Sequence, residues 1–161
     1  MSRPTSLRRA LPSSWPAHLL ALLLGLGLVV SPVATPEAHA AVSLGTVSSA
    51  ARVAAAQVGV PYRYGGTSPS TGFDCSGLTL YAYGRAGKRL PRTAQQQYAA
   101  STRISRSSAR PGDLVFFHSG STIYHVAVYA GSGWIWHAPK PGKRVAKVRL
   151  WTTAVTYGRV R

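Results

Sequence analysis

Acidic side chains are nearly missing from this chain: three Asp and Glu stand against 19 Lys and Arg, giving a formal charge of +16 over 161 residues. Cysteine is rarer still, with Cys75 alone. One cysteine excludes a disulfide within the chain. No cysteine stands directly after the single apolar run, which argues against a lipid-anchored precursor. That run, Leu19 to Val30, is shorter than the roughly 20 residues a membrane-spanning helix needs, so no stable membrane anchor is expected. Internal repeats are lacking, and no linker sets off a second module. No nucleic-acid-binding motif accompanies the basic charge, so nucleic acid is not an expected partner.

What is present begins with the order of a secretory signal peptide. Arg3, Arg8 and Arg9 precede the apolar run, and the small-residue stretch Ala38-His39-Ala40 follows it. Residues after Arg8-Arg9 fit a twin-arginine signal poorly. Cleavage is expected after Ala40, which divides the chain into a leader, 1–40, and one domain, 41–161, large enough for a single core. Losing the leader removes Arg3, Arg8, Arg9 and Glu37, leaving 16 basic and two acidic side chains, a formal charge of +14. A secreted protein so charged seeks polyanions; a solvated basic face that serves only solubility is the rival expectation.

The domain changes texture half-way. Thr46 to Gln57 has apolar residues at helical spacing, which predicts a helix with Val47, Ala50, Ala51, Ala54 and Val58 facing the core. Tyr62 to Gly72 reads as a loop, Cys75 to Tyr83 as a second helix, and Thr93 caps a third through Tyr98. Ser101 to Gly112 reads as a polar connection. Five stretches rich in Val, Ile and aromatics then alternate with Gly or Pro turns: Asp113–Phe117, Ile123–Ala130, Gly133–Ala138, Arg144–Leu150 and Ala154–Val160. Helices first and antiparallel strands second make an α+β fold.

Cys75 falls at the predicted start of the second helix. Unsatisfied amides and the helix dipole favour negative charge there, which would lower the thiol pKa. The same amides could stabilise an oxyanion. A buried, inert thiol is the alternative. A thiolate nucleophile works with a histidine, and beyond Ala40 the chain offers His118, His125 and His137. A hairpin closing over Ala130 to Ser132 would set His125 directly opposite His137, one imidazole as base and the other fixing its tautomer. A two-residue turn would put them on opposite faces. His118 reads as a loop residue without a catalytic role, and the Cys and His spacing resembles no common zinc pattern.

Several segments, taken together and in order, resemble the NlpC family of cell-wall cysteine peptidases. They are Pro61-Tyr62-Arg63-Tyr64-Gly65-Gly66, Asp74-Cys75-Ser76-Gly77-Leu78, Leu90-Pro91-Arg92-Thr93-Ala94-Gln95-Gln96, Pro111-Gly112-Asp113-Leu114-Val115-Phe116-Phe117, His125-Val126-Ala127-Val128-Tyr129 and Ile135-Trp136-His137-Ala138. The resemblance runs from about Thr46 to Arg161.

It implies a papain-like fold, with N-terminal helices packed on an antiparallel sheet of about five strands. It implies Cys75 as nucleophile, His125 as base and later acid, His137 as the residue orienting it, and Tyr62 as an oxyanion donor. Asp74 and Ser76 would line the groove and hold the free amino end of a peptidoglycan stem peptide, although Asp74 can also simply cap the helix. Asp113 is expected to order the turn after Pro111-Gly112. Gly65 and Gly66 would let the backbone approach the groove. The implied reaction is hydrolysis through a thioester at the γ-D-glutamyl–diaminopimelate bond, with no cofactor or metal. Anionic wall polymers are a further expected partner. A wall amidase, a non-catalytic wall-binding protein and a toxin with the same chemistry are the rival readings.

Overall fold

The computed structural model describes residues 43–161, so the expected leader and its cleavage point lie outside the described residues. Helix α1 spans Leu44–Ala55, and the Ser43 side chain accepts from the Thr46 amide at its start. Its buried face is Val47, Ala50, Ala51 and Ala54. Three alanines keep that face shallow and let the next helix approach closely. Val58, expected in the core, is 52% exposed, because the helix ends at Ala55 and the chain turns through Gly59 at φ 95°.

The segment read as a loop contains a small antiparallel ribbon, β1 (Thr67–Ser68) with β2 (Gly72–Phe73). Helix α2 follows at once, Cys75–Arg85, capped by Asp74. Helix α3, Ala94–Ala99, starts with a reciprocal cap in which the Thr93 side chain takes the Gln96 amide and the Gln96 side chain takes the Thr93 amide.

The rest is one antiparallel sheet. Its strands are β3 (Ser101–Ile104), β4 (Leu114–Ser119), β5 (Thr122–Gly131), β6 (Trp134–His137), β7 (Ala146–Arg149) and β8 (Val155–Val160). Their order across the sheet is β3-β8-β4-β5-β6-β7. Six strands replace the expected five or so. The extra one is β3, in the stretch read as a polar connection. Its Ser101 to Ile104 pair residue by residue with Val160 to Tyr157 of β8. Thr102 and Ile104 favour extended backbone, but four residues flanked by Ser and Arg are too short a signal to stand out, and pairing with β8 completes the strand.

Both faces of the sheet's centre are buried. Leu114, Phe116, Val126 and Val128 pack under the helices with Ala50, Ala54, Ala82 and Tyr83. Val115, Phe117, Ala127, Tyr129, Ile135 and Tyr157 fill the opposite face. Burial on two sides explains why β4 reads as the unbroken run Leu114-Val115-Phe116-Phe117.

Asp113 does order the turn after Pro111-Gly112, and more. It is fully buried, accepts from the Arg110 amide at 2.8 Å, and pairs with Arg159 of β8 at 2.7 and 2.9 Å. The Tyr83 hydroxyl of α2 donates to the Gly112 carbonyl at 2.8 Å. Gly112 has φ 106°, and a Cβ there would stand 2.0 Å from the Val47 carbonyl oxygen, so only glycine lets α1 sit against this corner.

Candidate active site

The site is built where the start of α2 meets the middle of β5. Asp74 caps the helix through Oδ1, which accepts from the Gly77 amide at 2.7 Å. Oδ2 accepts from the Gly65 amide at 2.9 Å. Arg92 grips both oxygens, Ser76 donates to Oδ1 at 3.3 Å, and Arg92 donates to Ser76 Oγ at 2.9 Å. These donors hold the Asp74 carboxyl below its ordinary pKa, although burial opposes them. A Cβ on Gly77 would lie 1.9 Å from the Gly66 carbonyl oxygen, so glycine here is what seats the 61–66 loop on the helix. Gly65 and Gly66 thus serve the cap of α2 as well as the groove.

Cys75 is a free, half-buried thiol at the first position of α2. Burial pushes the thiol pKa up, and the Asp74 charge adds to this. The amides of Val126, Ser76 and Cys75 itself pull the other way. The helix start therefore acts in the expected direction but is outweighed by desolvation. The resting group is a neutral thiol, with β5 beside it at Val126.

His125 and His137 meet on one face of the sheet, with His125 Nε2 3.0 Å from His137 Nδ1. They are not directly opposite. The strands pair Val128 with Trp136 and Tyr129 with Ile135, so His137 sits two places along from the expected register. The turn is the two-residue kind, Ser132-Gly133 between Gly131 and Trp134, which alone would split the histidines between faces. Ala130 is skipped in the pairing, and this bulge absorbs the odd residue and restores the shared face. A second slip lies at Tyr124, since Phe117 pairs with His125 but His118 with Ile123.

Burial drives His125 down to about 3, with the His137 charge adding to the effect, and drives His137 down to about 4. Both rings are neutral at neutral pH. Around them stand Phe117, with ring centroid 5.1 Å from His125, and Trp151, 5.3 Å from His137. Trp151 stacks on Phe117 at 4.7 Å and 18°. Sequence reasoning missed Trp151, whose only signal was an aromatic set before two threonines, and missed the grip of Arg92 on the cap.

Two hollows open here and share Tyr124. One, of about 450 Å³, is lined by Tyr62, Asp74, Cys75, Ser76 and Arg92. The other, of about 280 Å³, is lined by His125, His137, Lys140 and Trp151. Tyr62 and the thiol line the first together. The Tyr62 phenol is held protonated by burial and by the negative charge that Cys75 and Asp74 can carry. His118 lies on β4, not in a loop, and lines neither hollow. Among the described residues no three His, Cys, Asp or Glu side chains gather to hold a metal ion.

The profile of the NlpC/P60 family matches residues 59–159. The chain belongs to the NlpC/P60 family. Its sequence is 41% identical over 109 residues to the bifunctional muramidase/DL-endopeptidase CwlT of Bacillus subtilis, covering 64% of this chain and 33% of that one. It is 48% identical over 94 residues to the murein DD-endopeptidase MepH of Escherichia coli, covering 55% of this chain and 35% of that one. The chain thus spans about a third of the length of either relative. Among solved structures, the NlpC/p60 domain of the peptidoglycan hydrolase SagA superposes with a TM-score of 0.64 at 37% identity, covering 71% of this chain and 98% of that domain. An NlpC/P60 fold accounts for the helices and antiparallel sheet described above, with six strands in the sheet.

Proposed function

We propose that this NlpC/P60 chain is an exported peptidoglycan endopeptidase that cleaves the γ-D-glutamyl–diaminopimelate bond of the stem peptide through a Cys75 thioester. The observation that supports the reading is a helix-start thiol set against the Val126 backbone of β5, next along the strand from the buried His125–His137 pair, with thiol and histidines lining hollows that share Tyr124.

The ring contact sets the proton bookkeeping. His125 spends Nε2 on His137, so Nδ1 is the nitrogen left to take a proton. That requires His125 Nε2–H to donate and His137 Nδ1 to accept, which is the orienting role of His137. His125 Nδ1 takes the thiol proton as the sulfur attacks the carbonyl carbon. The oxyanion is held by the Tyr62 hydroxyl and the helix-start amides. Collapse expels the amine, which carries off the proton from His125, and leaves the thioester. Water then gives a proton to His125 and attacks the thioester, and the thiol recovers that proton as the carboxylate product leaves.

Asp74 already accepts five hydrogen bonds. It lends its charge to the hollow rather than a free lone pair, so the amino end of the stem peptide rests first on Ser76 Oγ.

Digestion of purified muropeptides by wild type and Cys75→Ala, read by mass spectrometry, tests this. Wild type should release diaminopimelate-bearing fragments with glycan–lactyl amides intact, and Cys75→Ala should release none. Cleavage at the lactyl amide would make the protein an amidase. A second reading, cleavage of a D,D cross-link, is favoured by the likeness to MepH, and intact stems with broken cross-links would establish it. Equal lysis by both variants would sink the enzymatic reading. Export is checked by the N-terminus of the mature protein, expected at Ala41.

A further inference from the structure

On the sheet face away from the helices lies a cleft that the proposed reaction does not use. It occupies about 320 Å³ between the 104–109 segment and the chain following β7. Tyr157 forms part of its wall, is 5% exposed, and has the one buried side-chain polar atom left without a hydrogen-bond partner among the described residues. A buried hydroxyl costs free energy unless something accepts its proton, and the protein itself supplies no acceptor, which leaves the Tyr157 hydroxyl to water or to a ligand in the cleft.

The rim supplies matching donors. Arg106, Thr152, Thr153 and Thr156 line the same cleft. Arg106 makes neither an ion pair nor a side-chain hydrogen bond among the described residues, and its charge acts on the Tyr157 phenol. A second hollow of about 480 Å³ continues past Arg106, Thr152 and Thr153 to Arg149, and reaches Trp151 beside the histidine pair. Arg149 likewise has no acidic partner, only the Trp134 ring 5.2 Å away. The same short segment, 150–153, therefore borders both the histidines and this basic channel.

We infer that the cleft of Arg106, Tyr157 and Thr152 to Thr156 is a second, non-catalytic binding site for the phosphodiester of an anionic wall polymer, held while the neighbouring site cuts the peptide. A guanidinium and hydroxyl donors arriving from several walls suit the oxygens of a tetrahedral phosphate, which point in several directions, better than the two coplanar oxygens of a carboxylate. The choice of a wall polymer rests on the proposed action on peptidoglycan; the anion site itself does not.

The full chain, as wild type and Tyr157→Phe, is titrated with inorganic phosphate at constant ionic strength and followed by NMR, with acetate as a parallel titrant. Phosphate should move the Arg106, Thr152 and Thr153 signals, and Tyr157→Phe should bind about tenfold more weakly, the worth of one hydrogen bond to a charged group. Its melting temperature should hold or rise, since the substitution removes only an unpartnered hydroxyl. Its hydrolysis of soluble muropeptides should match wild type, while its binding to whole walls should fall, as should wild-type binding once phosphodiester polymers are stripped. Phosphate signals scattered over the basic surface, equal affinity in both variants, or acetate binding as well as phosphate would overturn the assignment. Unchanged binding to stripped walls would overturn the choice of polymer. Muropeptide hydrolysis is read separately, so loss of the proposed peptidase activity would not be mistaken for loss of this site.

Discussion

At the residue scale the proposed mechanism turns on His137, whose contact with His125 Nε2 leaves His125 Nδ1 as the bare nitrogen. A replacement that can accept at the same place should keep the productive tautomer, and one that cannot should lose it. His137→Gln is therefore expected to retain more activity than His137→Ala, and His137→Ala to lower kcat by about 100-fold or more with KM little changed. Steady-state kinetics on a defined muropeptide read this directly; equal rates for wild type and His137→Ala would remove the orienting role. Much of this residue-level picture was legible in the sequence. Asp74-Cys75-Ser76-Gly77 announces a capped helix start, and the two later histidines fall on strands. What stayed hidden is long-range. Arg92 reaches Asp74 across 18 positions and Trp151 covers histidines 14 and 26 positions before it, and local periodicity has no term for either.

The β5–β6 hairpin buries two imidazoles that an unfolded chain would leave in water, and this makes the element acid-sensitive. Unfolded histidines take up protons near pH 6.5, whereas these accept them only at about 4 and 3. Between those limits the unfolded chain binds more protons, so stability falls as pH falls. The contribution is complete above about pH 6.5 and drains away toward pH 3. Urea midpoints across that range should drop steadily for wild type and less steeply for His137→Gln; parallel curves would show that the pair is not responsible. The same hairpin marks the limit of reading strands from pattern. Alternation gave both strands and the shared face, but the turn length expected from it was wrong, and a bulge at Ala130 corrected the parity. Bulges leave little trace in composition, since any small residue can be the one skipped. Strand β3 was missed because its two β-branched residues, Thr102 and Ile104, sit in a short stretch otherwise rich in Ser and Arg, and only pairing with β8 identifies it.

Across the whole molecule, charge is sorted by depth. Both acids of the described residues, Asp74 and Asp113, are buried and paired with Arg92 and Arg159. Among the described residues no exposed side-chain carboxylate offsets the remaining Lys and Arg, whose mutual repulsion acts over a Debye length of about 10 Å in 0.1 M salt. Raising salt from about 20 mM to about 0.5 M should therefore raise the melting temperature while lowering binding to whole walls. Wall binding that ignored salt would mean the basic surface plays no part. The net charge was plain from composition. That its two counter-charges would be withdrawn into the interior was not, since it depends on which arginines the fold brings to them.

The neutral state of the Cys75 thiol has a consequence for the lifetime of the protein. Peroxide and other oxidants attack the thiolate, and sulfinic acid, once formed, is not reversed for most proteins. A nucleophile that ionised at rest would be consumed in proportion to its exposure to such reagents. Burial favours the protonated form of the Cys75 sulfur, and under the proposed mechanism the thiol gives up its proton only as it attacks a substrate carbonyl. Such a nucleophile would be spared between turnovers, and slow loss of the free thiol in dilute peroxide is the expected outcome.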